Sequence, residues 1–118
     1  MTLKKVKEIL KAEVLSGADS LDMKIEMACG CDLMSDVLAF AKAGALILTG
    51  LTNLHVVRTA ETLDIKAICF VRGKTPDRET IELAKSKSIP LLSVGLPMFE
   101  ACGVLYRAGL PGCSETDG

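Results

Sequence analysis

The sequence predicts a three-layer α/β domain with a mainly parallel sheet and helices on both of its faces. Beyond residue 30, short and continuously apolar runs alternate with segments in which apolar residues recur at helical spacing. Continuously apolar runs are typical of strands that are buried on both faces, and parallel neighbours need a helical crossover between them. At 118 residues the chain has the length of a single domain of this kind.

The first 31 residues predict one helix and two extended segments. Apolar residues share one face of a helix from Leu3 to Leu10, behind Thr2 as its N-cap. Residues 13 to 15 predict a short extended segment that is followed by a turn. Alternating polarity over residues 23 to 28 predicts an edge strand with one solvated face, which ends at Cys29-Gly30-Cys31.

The rest of the chain repeats a helix–strand unit. Thr52 or Asn53 is the predicted N-cap of the second helix in this part, and Thr75 caps the third with Pro76 at the first helical position. The predicted helices are 33–41, 54–63, 75–84 and 97–107, and the predicted strands are 45–48, 67–71 and 90–94. We assign residues 1 to 110 to the domain and residues 111 to 118, rich in Gly, Pro and polar residues, to a flexible tail.

Composition argues against several classes of partner. A formal net charge of -1 and an aromatic content of 3% with no Trp argue against nucleic-acid binding. The N-terminus lacks a long apolar run, and residues 37 to 51 are interrupted by Lys42 and glycines, so we expect neither export nor a membrane span. Five cysteines without regular spacing indicate reduced thiols. The expected location is cytoplasmic.

The loops that leave the carboxyl ends of the predicted strands form the candidate ligand site. In an open parallel sheet these loops meet at one edge, where ligands commonly bind. They bring together glycines, hydroxyls, helix N-termini and two cations, a combination that favours a small anion such as a nucleotide. The alternative is that the glycines only make turns. The candidate residues are Gly50, Thr52, Asn53, Arg72, Gly73, Lys74, Thr75 and Gly95.

Catalytic interpretations of single residues are weaker than structural ones. Gly73-Lys74-Thr75 resembles the end of a phosphate-binding loop, but Ile68 stands where that loop needs its first glycine. His55 is the only histidine and falls in the first turn of a predicted helix, where a structural role is favoured. The candidate acid–base carboxylates, Asp32, Asp36 and Asp77, fit helix caps equally well. We therefore predict no enzyme activity and no cofactor.

Cys29 and Cys31 support a weaker alternative, a redox or iron–sulfur accessory protein. Their spacing lets two thiols approach one metal or each other. Structural zinc and iron–sulfur sites normally need about four ligands, and the sequence contains no C-x-x-C pair. A redox role requires an exposed thiol whose pKa is lowered, for example by a helix N-terminus.

Four segments carry a more specific resemblance: 33 to 39 (LMSDVLA), 45 to 50 (ALILTG), 66 to 77 (KAICFVRGKTPD) and 89 to 93 (IPLLS). Over about residues 3 to 110 the chain resembles the DRTGG domain family. Stand-alone members of this family are similar to the N-terminal, non-catalytic domain of HPr kinase/phosphorylase, and related domains occur in phosphotransacetylases and CBS-containing pyrophosphatases. The motif that gives the family its name is missing from this chain. Its acidic–basic pair is expected where the sequence has Thr49-Gly50-Leu51-Thr52-Asn53.

The resemblance implies a regulatory or interaction domain that is a homodimer and either docks to a partner enzyme or senses a small ligand. An apolar patch is expected on a dimerising surface. We predict that patch at Met23, Ile25 and Met27, or on the last helix at Met98, Cys102 and Leu105.

Overall fold

A five-stranded sheet forms the centre of the molecule. The structure is a computed structural model, and it describes residues 1 to 116. The helices are α1 (Leu3–Leu10), α2 (Met34–Phe40), α3 (Leu54–Thr62), α4 (Arg78–Ser86) and α5 (Met98–Arg107). The strands are β1 (Glu13–Ser16), β2 (Met27–Gly30), β3 (Ala45–Thr49), β4 (Ala67–Phe70) and β5 (Leu91–Ser93). Short 3-10 helices occupy Ala18–Ser20 and Cys113–Glu115.

The strand order is β1-β5-β4-β3-β2. Strands β2 to β5 are parallel and lie side by side in chain order, so each step from β2 to β5 passes through one helix. Strand β1 pairs with β5 in the antiparallel direction, with Val14 opposite Leu92. Strand β2 is therefore an edge strand, as predicted, but it includes only the last two residues of the predicted segment 23 to 28.

Alternate side chains of the central strands enter two separate cores. On β3, Ile47 packs in the core under α2, α3 and α4, whereas Leu46 and Leu48 pack in the core under α1 and α5. All three side chains are at most 2% exposed, and each contributes roughly 1.5–3 kcal/mol through burial. The predicted three-layer α/β architecture is confirmed.

Two of the predicted helix caps are correct and one is wrong. Thr2 accepts a hydrogen bond from the Lys5 N–H, and Asn53 accepts one from the His55 N–H. Helix α4 is capped by Asp77, which accepts from the Thr80 N–H at 2.9 Å, and not by Thr75. The Asp77 carboxylate is a strong N-cap, and its bond to the Thr80 N–H begins the helix two residues later than a cap at Thr75 would.

The alternating segment before β2 is more deeply buried than predicted. Lys24 and Glu26 are exposed, but Ile25 packs against the α1 side of the sheet and Met27 against the α2 side. Ile25 is 0% and Met27 2% exposed. The prediction of a dimerising patch at Met23, Ile25 and Met27 is therefore wrong, because two of these side chains are already in the domain's own cores.

Residues 111 to 116 pack against β2, although they belong to the segment predicted to be a flexible tail. The Ala28 N–H donates to the Pro111 carbonyl at 3.0 Å, and Cys113 is 7% exposed. The Lys42 ammonium donates to the Thr116 carbonyl at 2.6 Å. An edge strand leaves backbone groups unpaired, and this segment pairs one of them. The last two residues of the predicted tail, 117 and 118, lie outside the described residues. Across residues 1 to 116, no helix combines the length and the apolar character that a membrane span requires.

Candidate functional site

The loops after β2, β3, β4 and β5 meet at the carboxyl edge of the sheet. Helix α4 follows β4 on one face, whereas α5 follows β5 on the other face. In sheets of this kind, ligands commonly bind where neighbouring loops part toward opposite faces. Here two backbone hydrogen bonds join the parting loops, from the Arg72 N–H to the Leu96 carbonyl and from the Gly73 N–H to the Val94 carbonyl, both 2.8 Å long.

Asp32 fixes the loop that follows β3. Its Oδ1 accepts hydrogen bonds from the Gly50 N–H at 2.7 Å and from the Thr49 hydroxyl at 3.0 Å. The Thr49 Oγ1 in turn accepts from the Leu51 N–H at 3.2 Å. The sequence suggested Asp32 as a cap or an acid–base group, and its observed role as a loop anchor depends on the adjacency of β2 and β3.

Arg72 lies over Gly50. Its guanidinium occupies the space that a Cβ atom at position 50 would need, and Asp32 Oδ1 is 3.5 Å from that same point. Arg72 has a left-handed backbone, with φ of 58°, and this conformation begins the turn after β4. The structure thus brings two of the predicted site residues, Gly50 and Arg72, into contact beside Asp32.

The cations of this edge are not held by carboxylates. Within residues 1 to 116, the ion pairs are Lys85–Glu82 and Lys87–Glu61, both remote from Arg72 and Lys74 in sequence. The Lys74 carbonyl accepts from the Ser93 hydroxyl at 3.0 Å, and this bond fixes the backbone of the turn. The Lys74 side chain is exposed and takes no part in that bond. Arg72 and Lys74 are therefore outside ion pairs, although the Asp32 carboxylate lies beside the Arg72 guanidinium at Gly50.

The remaining predicted site residues have varied positions. Gly73 has a φ of 67°, a left-handed backbone conformation that glycine adopts without strain. Gly95 is exposed and nothing lies within 4 Å of a Cβ built on it. Asn53 uses its side-chain oxygen to cap α3, at 3.1 Å from the His55 N. Thr52 is half-buried, and Thr75 is exposed.

The candidate acid–base residues have structural contacts or exposed positions. The Thr80 N–H stabilises the ionised Asp77 side chain and lowers the pKa of that carboxyl. His55 and Asp36 are exposed, in the first turns of α3 and α2. Ile68 is buried in β4, so the turn at Gly73 lacks the long glycine-rich approach of a phosphate-binding loop.

The thiols do not favour metal or redox chemistry. Within residues 1 to 116, no three His, Cys, Asp or Glu side chains are grouped so as to hold a metal ion. Burial, with smaller contributions from Cys113 and other neighbours, raises the pKa of Cys29 to about 11. A redox role required the opposite shift, because the thiolate is the reactive form. Cys31 Sγ accepts from the Leu33 N–H at 3.4 Å in the loop before α2.

A second region, which we call the α5 groove, lies between α5 and the edge strand β2. It has a volume of about 340 Å³, and its lining includes Gly30, Cys102, Gly103 and Tyr106. Phe99 stands at its rim with 85% of its surface exposed. The Tyr106 hydroxyl donates to Glu115 Oε1 at 2.6 Å, and this contact raises the pKa of Tyr106.

The apolar patch predicted on the last helix is only partly correct. Leu105 is 1% exposed and belongs to the core, and Met98 and Cys102 are half-buried. The exposed apolar side chains are Phe99 and Tyr106, which sequence reasoning missed because the phase of the helix was assigned from its more aliphatic stripe. Phe99 and Tyr106 are seven residues apart, a helical spacing that marks a second face.

No protein-family model matches the chain, and no curated protein sequence matches it. A solved structure does resemble it, that of the CBS and DRTGG domains of the regulatory region of Clostridium perfringens pyrophosphatase, complexed with its activator diadenosine tetraphosphate. The TM-score is 0.72 at 19% sequence identity. The match covers 93% of this chain and 47% of that chain, so this chain spans about half the length of its neighbour. The likeness establishes a shared fold.

Proposed function

We propose that this chain is a non-enzymatic regulatory domain of the DRTGG kind that senses a nucleotide-like anion at the carboxyl edge of its sheet. The observation that carries the proposal is the position of Arg72 over Gly50, in a loop that Asp32 fixes. Neither its guanidinium nor Lys74 forms an ion pair within the described residues, and the Asp32 carboxylate beside Arg72 accepts from Gly50 and Thr49. The solved neighbour supports a nucleotide in particular, because it is a regulatory region complexed with a dinucleotide activator.

The geometry suggests how binding would be transmitted. Arg72 is suited to bidentate contact with phosphate oxygens, and Lys74 adds a second charge. The Arg72 N–H holds the Leu96 carbonyl, two residues before the start of α5. An anion that restrains Arg72 therefore also restrains the loop that leads into α5.

The proposal extends to the partners of the domain. A sensor without its own chemistry acts through a second protein, so we propose that the chain is a homodimer in the cytoplasm that docks to a partner enzyme. The exposed aromatic side chains of α5 and of α2, where Phe40 is 69% exposed, supply apolar surface for such contacts.

A thermal-shift series tests the ligand. Wild-type protein is heated with diadenosine tetraphosphate, ATP, AMP or inorganic phosphate, each at several concentrations. A ligand at about 100 times its Kd adds roughly 2.7 kcal/mol of stability, which raises Tm by several degrees. Arg72→Gln abolishes the shift, and Arg58→Gln, an exposed arginine on α3, retains it. A shift that survives Arg72→Gln contradicts the assigned site, and no shift with any nucleotide contradicts the proposed ligand class.

A further inference from the structure

We propose that the exposed face of α5 is the surface through which two copies of this chain pair, antiparallel and crossing at Gly103. This inference rests on the homodimer in the proposed function and adds the residues that form the contact. None of the residues that form this contact belongs to the anion site at Arg72.

The first observation is the presence of a glycine, Gly103, in this helix. It lies in the middle of α5, where glycine is one of the poorest helix formers. Among residues 1 to 116, nothing lies within 4 Å of a Cβ built at this position, so no contact in this part of the chain requires a glycine. A small residue on an exposed helix face permits close approach by a second backbone, and this explains the glycine.

The second observation is that the surface around Gly103 has both projecting aromatic side chains and a groove beside them. Phe99, Gly103 and Tyr106 follow one another at helical spacing on the exposed side of α5. Phe99 is 85% and Tyr106 60% exposed, and the α5 groove beside them has a volume of about 340 Å³. A two-fold contact needs a surface that is complementary to itself, and a large projecting ring next to a groove meets that requirement.

The third observation is the charge pattern beside this face, which selects a second copy as the occupant. Glu100 and Arg107 are exposed and seven residues apart, so they lie on one stripe that flanks the aromatic face. An antiparallel two-fold crossing pairs positions that are symmetric about its centre. Glu100 and Arg107 are symmetric about the midpoint of residues 103 and 104, so each faces its opposite charge on the partner.

The same crossing pairs the aromatic rings. Phe99 and Tyr106 are symmetric about the midpoint of residues 102 and 103, one residue from the charge centre. A crossing at Gly103 lies halfway between the two centres and displaces each pairing by one residue, or about 1.5 Å of helix rise. Long side chains absorb an offset of this size. Each Phe99 then packs against the partner's Tyr106, over a groove of apolar and glycine residues, while Gly103 lets the helix axes approach.

Sedimentation equilibrium of the wild-type chain and of Gly103→Leu tests the pairing. We expect wild type to show a concentration-dependent dimer of the 12.5 kDa chain. The Cβ of a leucine meets no atom of the described residues within 4 Å, and leucine favours the helix, but its side chain separates the paired helices. The variant is therefore expected to keep or raise its monomer Tm while its dimer Kd rises roughly tenfold or more.

Charge reversal tests the orientation. Glu100→Arg and Arg107→Glu, each alone, place like charges opposite one another at two symmetric positions and raise the dimer Kd. The double variant restores opposite pairs and returns the Kd toward the wild-type value. Glu79→Arg, an exposed position on α4, is the matched control and leaves the Kd unchanged.

Two results would overturn this inference, and they bear differently on the proposed function. A wild-type chain that remains a monomer over its soluble concentration range removes both the pairing and the proposed homodimer. If the chain dimerises but its Kd is unaffected by Gly103→Leu and by single charge reversals, the homodimer is supported and the α5 surface is excluded as its contact. The nucleotide-dependent thermal shift at Arg72 is a separate measurement. It distinguishes failure of the proposed pairing from failure of the proposed ligand site.

Discussion

The carboxyl edge of the sheet and the α5 groove are built in opposite ways. At the carboxyl edge, functional side chains are held by the chain itself, as in the bonds from Thr49 and Gly50 to Asp32. At the α5 groove, Phe99 is mostly exposed, and a Cβ added to Gly103 would meet no atom of the described residues within 4 Å. The first region has the fixed side chains that the proposed ligand site requires, and the second has residues that intramolecular packing does not explain.

This contrast predicts a large loss of stability at the first region. Asp32→Ala removes the acceptor of the Gly50 N–H and of the buried Thr49 hydroxyl, so the free energy of unfolding should fall by about 2 kcal/mol. Urea denaturation measures the change. Asp36→Ala, an exposed acidic residue in the first turn of α2, is the control and should change stability much less. Equal effects of the two substitutions would show that Asp32 is not the anchor of this loop.

A substitution at Gly50 should separate the site from the fold. The Cβ of Gly50→Ala meets the Arg72 guanidinium, which is the flexible end of an exposed side chain and can move. We expect about 1 kcal/mol or less of destabilisation, because Arg72 is displaced rather than the backbone. Nucleotide affinity should fall more than stability does, as measured by calorimetric titration. Unchanged affinity would place the ligand away from Arg72.

The second region should respond in the opposite direction. Gly103→Ala adds a methyl group in open space within a helix, and it should stabilise the monomer by up to about 1 kcal/mol. Phe99→Ala should leave monomer stability within roughly 0.5 kcal/mol, because the ring packs little against its own chain. Thermal unfolding at dilution measures both values. A strong destabilisation by Phe99→Ala would show that the ring belongs to the domain's own core.

Asp77 should show a smaller effect that depends on pH. The hydrogen bond from the Thr80 N–H lowers the pKa of Asp77 in the folded state. A group with a lowered folded-state pKa contributes stability above its unfolded-state pKa and loses it as pH falls through the folded-state value. Wild type should therefore have a higher Tm than Asp77→Asn at pH 7, and the difference should shrink in acid. A difference that grows in acid would contradict the assigned cap.

Much of the fold follows from local patterns in the sequence. The continuously apolar strands, such as β3 and β4, and the caps at Thr2 and Asn53 were predictable because burial on both faces and N-terminal hydrogen bonding leave clear local signals. The position of residues 111 to 116 was not predictable in this way. This short segment pairs with β2 through contacts between residues far apart in the chain, such as the contact between Ala28 and Pro111. Pairing over such a distance leaves no periodic pattern.

The candidate site was predictable only as a set of loops. Parallel topology places Gly50 and Arg72 at one edge, and that much follows from the strand–helix rhythm. Their contact, and the role of Asp32, depend on side-chain geometry between neighbouring strands. The aromatic face of α5 was missed for a related reason, because one helix carries two apolar stripes and only packing decides which is buried.

The most direct test of the anion site is a titration of ¹⁵N-labelled protein with diadenosine tetraphosphate, followed by NMR. The proposal predicts shifts of the amide signals of Gly50, Arg72 and Gly73, with smaller changes passing through Leu96 to the start of α5. Signals of the α5 groove around Gly103 and Tyr106 should move less. Shifts centred on the groove, or no shifts at saturating nucleotide, would contradict the assignment of the carboxyl edge as the ligand site.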